Sequence, residues 1–183
     1  MEFIRHNLET APKESLEILE RSKKAMGIIP GLYSVMAESP EILKAYTELH
    51  QLFMNSAFDK DELTVVWQTI NIEHNCTYCV PAHTAIAYSM GVSEELVNAL
   101  REEKPLPNKK LEMLRTTTLR VVRQRGFLTD EEISEFYSVG YTTRNLLDIV
   151  LGLSQKVISN YVNHLSRAKA DSIFEKFEWT KAK

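Results

Sequence analysis

The chain is poor in most of the residues that announce a chemistry. It has only two cysteines, six glycines, six prolines and two tryptophans in 183 residues. Two cysteines are too few for a disulfide scaffold or for a four-cysteine zinc site. No stretch approaches the roughly 20 apolar residues that span a bilayer, so no membrane segment is expected. No glycine-rich loop is present to cradle a phosphate. The basic residues are scattered and the net charge is only -3, so nothing forms a surface for nucleic acid or anionic lipid. The start, "MEFIRHNLETAPKES", has no apolar core of a signal peptide, and a cytoplasmic location is expected. With 44% apolar and 26% charged residues, what remains is the composition of an ordinary globular protein with one well-buried core.

Helix signals run almost throughout, and no stretch reads as a convincing strand. "TAPKESLEILERSKKAMG" opens near Thr10 and Pro12 and stops at Gly27. "SPEILKAYTELHQLFM" has Ser39 and Pro40 at its start, and Ile42, Tyr46, Leu49 and Phe53 make one apolar stripe. Asp59 and Glu62 form a capping-box pair ahead of an apolar run through Val65, Val66 and Ile70, which predicts a buried helix. Further helices are expected from Ser93, from about Lys109 to Arg123, and after the capping box "TDEE" at Thr129 to Glu132. In the last long helix Leu146, Val150, Leu153, Val157 and Tyr161 form an apolar seam, expected to pack in the core or between subunits. The turns are short and no linker separates two halves. A single all-α domain over residues 1–183 is expected, a compact multi-helix fold with the cysteine pair at the start of a central helix.

Both cysteines lie in "NIEHNCTYCVPAHTAIA", as Cys76 and Cys79, with His83 four residues after the second. In a reducing cytosol a lone Cys-x-x-Cys is a metal half-site or a cycling redox pair rather than a staple. If a helix begins between Thr77 and Val80, Cys79 sits in its first turn, where free N–H groups and the dipole favour a thiolate. Pro81 argues for a start near Val80. Residues four apart on a helix have Cβ atoms about 5–6 Å apart, so His83 can exchange a proton with Cys79 directly or through one water. A helix start or a nearby imidazolium lowers a thiol from about 8.5 to roughly 3.5–7.5. Once Cys79 is oxidised to a sulfenic acid, Cys76 can condense with it as a disulfide. Two other readings stay open: zinc, for which only His74 or Glu73 could add a fourth ligand, and two inert core thiols. His6 and His50 read as surface or packing histidines.

The segment "FDKDELTVVWQTINIEHNCTYCVPAHTAIAYSMG" resembles the core motif of the alkylhydroperoxidase D-like proteins of the carboxymuconolactone decarboxylase superfamily. The likeness extends to "GIIPGLYSVMAESPEILKAYTELH" upstream and "ISNYVNHLSRAKADSIFEKFEW" downstream, the latter similar to the peroxidase-related branch. The resemblance implies an all-helical homo-oligomer, a trimer or a multiple of one. It also implies an antioxidant, thiol-dependent peroxidase that takes a hydroperoxide substrate. Electrons would come from a dithiol donor, such as a lipoylated or thioredoxin-like protein, with no cofactor. By the resemblance Cys79 is the peroxide-attacking cysteine, Cys76 the resolving one and His83 the proton relay. Two positions depart from it: the relay glutamate falls on Thr64, and the histidine between the cysteines is Tyr78. Glu73, at the end of the preceding helix, is nominated as the acid that reaches the imidazole, with Glu62 a weaker substitute. The competing readings are a carboxymuconolactone decarboxylase-like enzyme, against which the cysteine pair counts, and a non-enzymatic redox-sensing or metal-binding helical oligomer.

Overall fold

A computed structural model describes residues 3–181. The described residues form nine α-helices and a closing 3-10 helix, with no strand. The helices are α1 (Lys13–Met26), α2 (Gly31–Met36), α3 (Pro40–Met54), α4 (Lys60–Glu73) and α5 (Cys79–Ser89). They continue with α6 (Glu94–Arg101), α7 (Lys109–Arg123), α8 (Asp130–Ser138) and α9 (Thr143–Ser166), and the 3-10 helix spans Ser172–Phe177. None of them is long and apolar enough to cross a membrane.

Local chemistry accounts for most of the boundaries. Asp59 with Glu62, and Thr129 with Glu132, close the capping boxes of α4 and α8, and Ser93 caps α6 through the Leu96 N–H. Gly27 ends α1 at φ 77°, a left-handed conformation that costs glycine little.

Helix α4 is the centre of the fold. Every residue from Glu62 to Ile72 is buried, and α5, α6, α7 and α9 all pack on it. Trp67, Phe53, Phe136, Leu114 and Ile149 fill the larger apolar core. Each such side chain contributes about 1.5–3 kcal/mol through burial. A second cluster, with Leu19, Met36, Leu43 and Tyr46, encloses Cys76, Tyr78 and Cys79. Helix α9 crosses α3 and α4 closely at Gly152, where a Cβ would lie 2.7 Å from the Phe53 ring and 3.1 Å from Val66.

The buried face of α9 is not the apolar seam its sequence suggests. Val150 and Tyr161 are about half exposed, while Ile149, Gly152, Gln155, Lys156, Ser159, Asn160 and Asn163 face inward. The helix is turned by one residue, about 100°, from the orientation that would bury its most apolar stripe. Hydrogen bonds decide this: the inward polar side chains find partners on α4 and α5, and burying them unpaired would cost more than leaving Val150 in water.

Candidate active site

Between α4 and α5 the chain reverses in five residues. After His74, Asn75 takes a left-handed conformation at φ 53°, one that asparagine tolerates better than most residues. The Cys76 N–H then returns to the Asn71 carbonyl at 2.9 Å, closing a Schellman-type turn. The N–H groups of Cys79 and Val80 both reach the Cys76 carbonyl at 3.1 Å, and α5 begins with Cys79 as its first residue. Pro81 is the third helical residue, where its missing N–H is one that no helix pairs.

Both thiols are free and buried. The Cys76 sulfur accepts the Cys79 N–H at 3.2 Å, and the Asn163 amide donates to the Cys79 sulfur at 3.2 Å. Burial pushes the Cys79 thiol up. That push is outweighed by the hydrogen bond from the Cys76 thiol, the charge of Lys156 and the amides of Asn163 and Asn160, which bring it down to about 6. Cys76 moves the other way. Its hydrogen bond to Cys79, then burial and the Cys79 charge, hold it well above the ordinary thiol range. At neutral pH the pair is one thiolate, Cys79, solvated by one thiol, Cys76.

Lys156 is the counter-charge. It is 1% exposed, and no carboxylate among the described residues pairs with it. Its Nζ lies 2.8 Å from His83 Nε2. Burial holds the ammonium below the usual lysine range, and the charges of Cys79 and Cys76 offset only part of that. His83 is held neutral, far below its usual range, first by burial and then by Lys156. An ammonium only donates, so His83 Nε2 accepts and Nδ1 carries the hydrogen. That Nδ1 has no partner among the described residues.

A second histidine is oriented by a chain of one-way bonds. The Trp67 indole N–H can only donate, and it does so to Gln155 Oε1 at 2.8 Å. Gln155 Nε2 therefore faces His50 Nδ1, at 3.3 Å, and His50 must keep its hydrogen on Nε2. Burial, and after it Lys156, bring this imidazole down to about 4, so it is a neutral donor at physiological pH. His50 stacks on Trp67 at 5.4 Å between ring centres, and Trp67 lies 4.8 Å from the His83 ring.

These groups surround a cavity of about 120 Å³ lined by Cys79, His83, Lys156, His50, Tyr46 and Tyr78, with Leu32, Ile86 and Phe174 among its apolar walls. The C-terminal segment closes one side. Asp171 accepts the Tyr78 hydroxyl at 2.6 Å and the Gly31 N–H at 3.1 Å, and Trp179 donates to the Arg101 carbonyl at 2.9 Å. A Cβ on Gly31 would come within 2.9 Å of the Asp171 carboxylate, so any other residue there would push the latch aside.

Two solved structures resemble this one. The first is an uncharacterized peroxidase-related protein from Ralstonia eutropha JMP134 with an alkylhydroperoxidase AhpD core. It has a TM-score of 0.81 and 17% identity over 95% of both chains. The second is an uncharacterized peroxidase-related protein from Silicibacter sp. TM1040, with a TM-score of 0.79 and 19% identity, again over 95% of both chains. The fold is that of the alkylhydroperoxidase D core. No family model and no curated protein matches the chain.

On this alkylhydroperoxidase D fold the residues expected from sequence are placed unequally. Cys79 and His83 line one cavity and Cys76 lies against Cys79, although His83 bonds to Lys156 and makes no hydrogen bond to Cys79. Glu73 is not brought to the imidazole. Its carboxylate is held by both arms of Arg123 at 2.7 Å, which keeps it ionised. Thr64 turns its hydroxyl back to the Lys60 carbonyl at 2.8 Å, and Glu62 serves its capping box and Lys110. His74 donates to Asn160 at 2.9 Å, and among the described residues no three potential ligands gather as a metal site.

Sequence reading passed over Lys156, Asn163, Gln155 and Asn160, and set His50 aside as a packing residue. His50 does pack, on Trp67, but it also lines the cavity. The signal for the α9 residues was present: Gln155, Lys156, Ser159, Asn160 and Asn163 recur with the spacing of one helix face.

Proposed function

We propose that the protein is a thiol peroxidase in which Cys79 attacks a hydroperoxide and Cys76 resolves the product. One observation carries this: at the wall of an apolar cavity stands a thiol brought down to about 6 beside a partner thiol held protonated. The Cys79 thiolate attacks the terminal oxygen of R–O–OH, giving Cys79–S–OH and an alkoxide. The alkoxide takes its proton from the Lys156 ammonium, passed through His83, which accepts at Nε2 and gives from the unpartnered Nδ1–H. The His50 Nε2–H steadies the developing negative oxygen. Cys76 then attacks the sulfenic sulfur, its proton leaves with the hydroxyl as water, and the Cys76–Cys79 disulfide forms. An external thiol donor returns the pair to the reduced state.

Titration of free thiols before and after one equivalent of an organic hydroperoxide tests this. Loss of both thiols together, recovered by a dithiol, is the expected result. Two thiols that survive the equivalent would exclude a cycling pair.

His50→Phe separates the leaving-group role from packing. Alkylation of Cys79 by iodoacetamide releases no alkoxide and should change less than twofold. The rate of Cys79 oxidation by hydroperoxide should fall about tenfold or more. Equal losses in both reactions would reduce His50 to a packing residue.

A further inference from the structure

The two sulfurs are approached from different sides. Cys79 meets the apolar cavity, whereas Cys76 lies beneath a separate open cleft of about 440 Å³ formed by Thr77, Tyr78 and the end of α9. Tyr78 belongs to both linings and stands between them, its hydroxyl tied to Asp171 and to the Leu32 N–H. The cleft is cationic in a chain of net charge -3. Arg167 and Lys169 line it with His164. Neither Arg167 nor Lys169 has an ion-pair partner among the described residues, and no carboxylate lines the cleft. Glu175 and Glu178 lie beyond Lys169, in the adjoining groove. Asn163 also lines the cleft. Its amide nitrogen serves Cys79, and its Oδ1, on a residue 3% exposed, has no partner.

We propose that this cleft receives the reductant: a low-molecular-mass thiol carrying a carboxylate or sulfonate, which attacks the disulfide at Cys76 from the side opposite the peroxide. The inference rests on the peroxidase reading above and adds the route and charge of the electron donor. Its anion is held by Arg167 and Lys169, while Asn163 Oδ1 offers an acceptor close to the sulfurs. A slender molecule fits because Cys76 has no exposed surface, and a broad protein face could not bring its own sulfur that deep. The direction of exchange follows from the leaving groups. The reductant thiolate forms a new S–S bond to Cys76, the Cys76–Cys79 bond breaks, and the electron pair goes to Cys79, the thiolate that Lys156 and Asn163 already stabilise. A second thiolate then attacks the reductant's own sulfur in the mixed disulfide. It releases Cys76, which takes up a proton, so two thiols are oxidised to one disulfide as the pair is reduced.

The test uses full-length protein oxidised by diamide, so that the disulfide is made without peroxide. It is exposed to three probes of similar size: 2-mercaptoethanesulfonate, 2-mercaptoethanol and cysteamine. Exchange rates per thiolate should fall in that order, by about tenfold from anion to cation, and converge at high salt. Arg167→Glu with Lys169→Glu should invert the order. Trapping with N-ethylmaleimide should find the probe on Cys76 and the maleimide on Cys79. The reverse labelling, or rates indifferent to probe charge, overturns the proposal. A protein that shows this polarity but reduces no hydroperoxide would overturn the peroxidase reading alone.

Discussion

Replacing Lys156 with methionine should lower the reactivity of Cys79 at pH 7 about tenfold or more. With the thiol at about 6, roughly nine-tenths of Cys79 is thiolate at pH 7. Without the ammonium, burial is opposed only by the Cys76 thiol and the Asn163 and Asn160 amides, and the thiol rises so that its neutral form predominates at pH 7. The rate of alkylation by iodoacetamide, followed against pH, should therefore rise through a midpoint near 6 in the parent and through a distinctly higher one in the variant. An unchanged midpoint would remove Lys156 from the site.

The pH dependence of stability distinguishes the same two proteins. Folded Cys79 ionises near 6 and an unfolded cysteine near 8.5, so between those values the unfolded chain binds the extra proton. Stability from this group is therefore complete above about pH 8.5 and is lost as pH falls through 6. The parent should lose melting temperature from this source between pH 8 and 6, and the methionine variant should lose less over the same interval.

Cys76→Ser should stop turnover after one equivalent of hydroperoxide. Serine keeps a hydroxyl donor where the Cys76 S–H stood, so the Cys79 thiolate survives and the first oxidation proceeds at close to the parental rate. No thiol is then at hand to condense with the sulfenic acid. Dimedone should trap Cys79 as a stable adduct, and excess peroxide should carry it on to the irreversible sulfinic acid. Steady-state turnover should fall at least tenfold, with the remainder depending on direct reduction by added thiol. Undiminished turnover would mean that Cys76 is not the resolver and that its bond to Cys79 serves only to tune the thiolate.

The division between what was legible in the sequence and what was not follows the range of the forces. Helix starts, stops and capping boxes depend on residues three or four apart, and the expected Lys109–Arg123 helix and both capping boxes stand where the residues place them. The Cys76, Cys79 and His83 spacing is equally local, and the tight turn after Glu73 with a helix starting at Cys79 sets Cys76 against Cys79 and puts Cys79 and His83 on one cavity. Glu73 shows the limit. Its neighbours in sequence made the imidazole a plausible target, but Arg123, fifty positions away, presents two donors and takes it. The orientation of α9 was out of reach for a related reason. Periodicity counts apolar surface, yet which face turns toward this core depended on amide and amine groups meeting partners on three other helices. Sequence by itself determined an all-helical chain with a thiol pair at a helix start. Tertiary structure decided which thiol is ionised, because the Lys156 charge and the Asn163 amide arrive from a helix about eighty residues further along the chain. A buried charge is set by the few groups within several ångströms of it, whatever their distance in sequence.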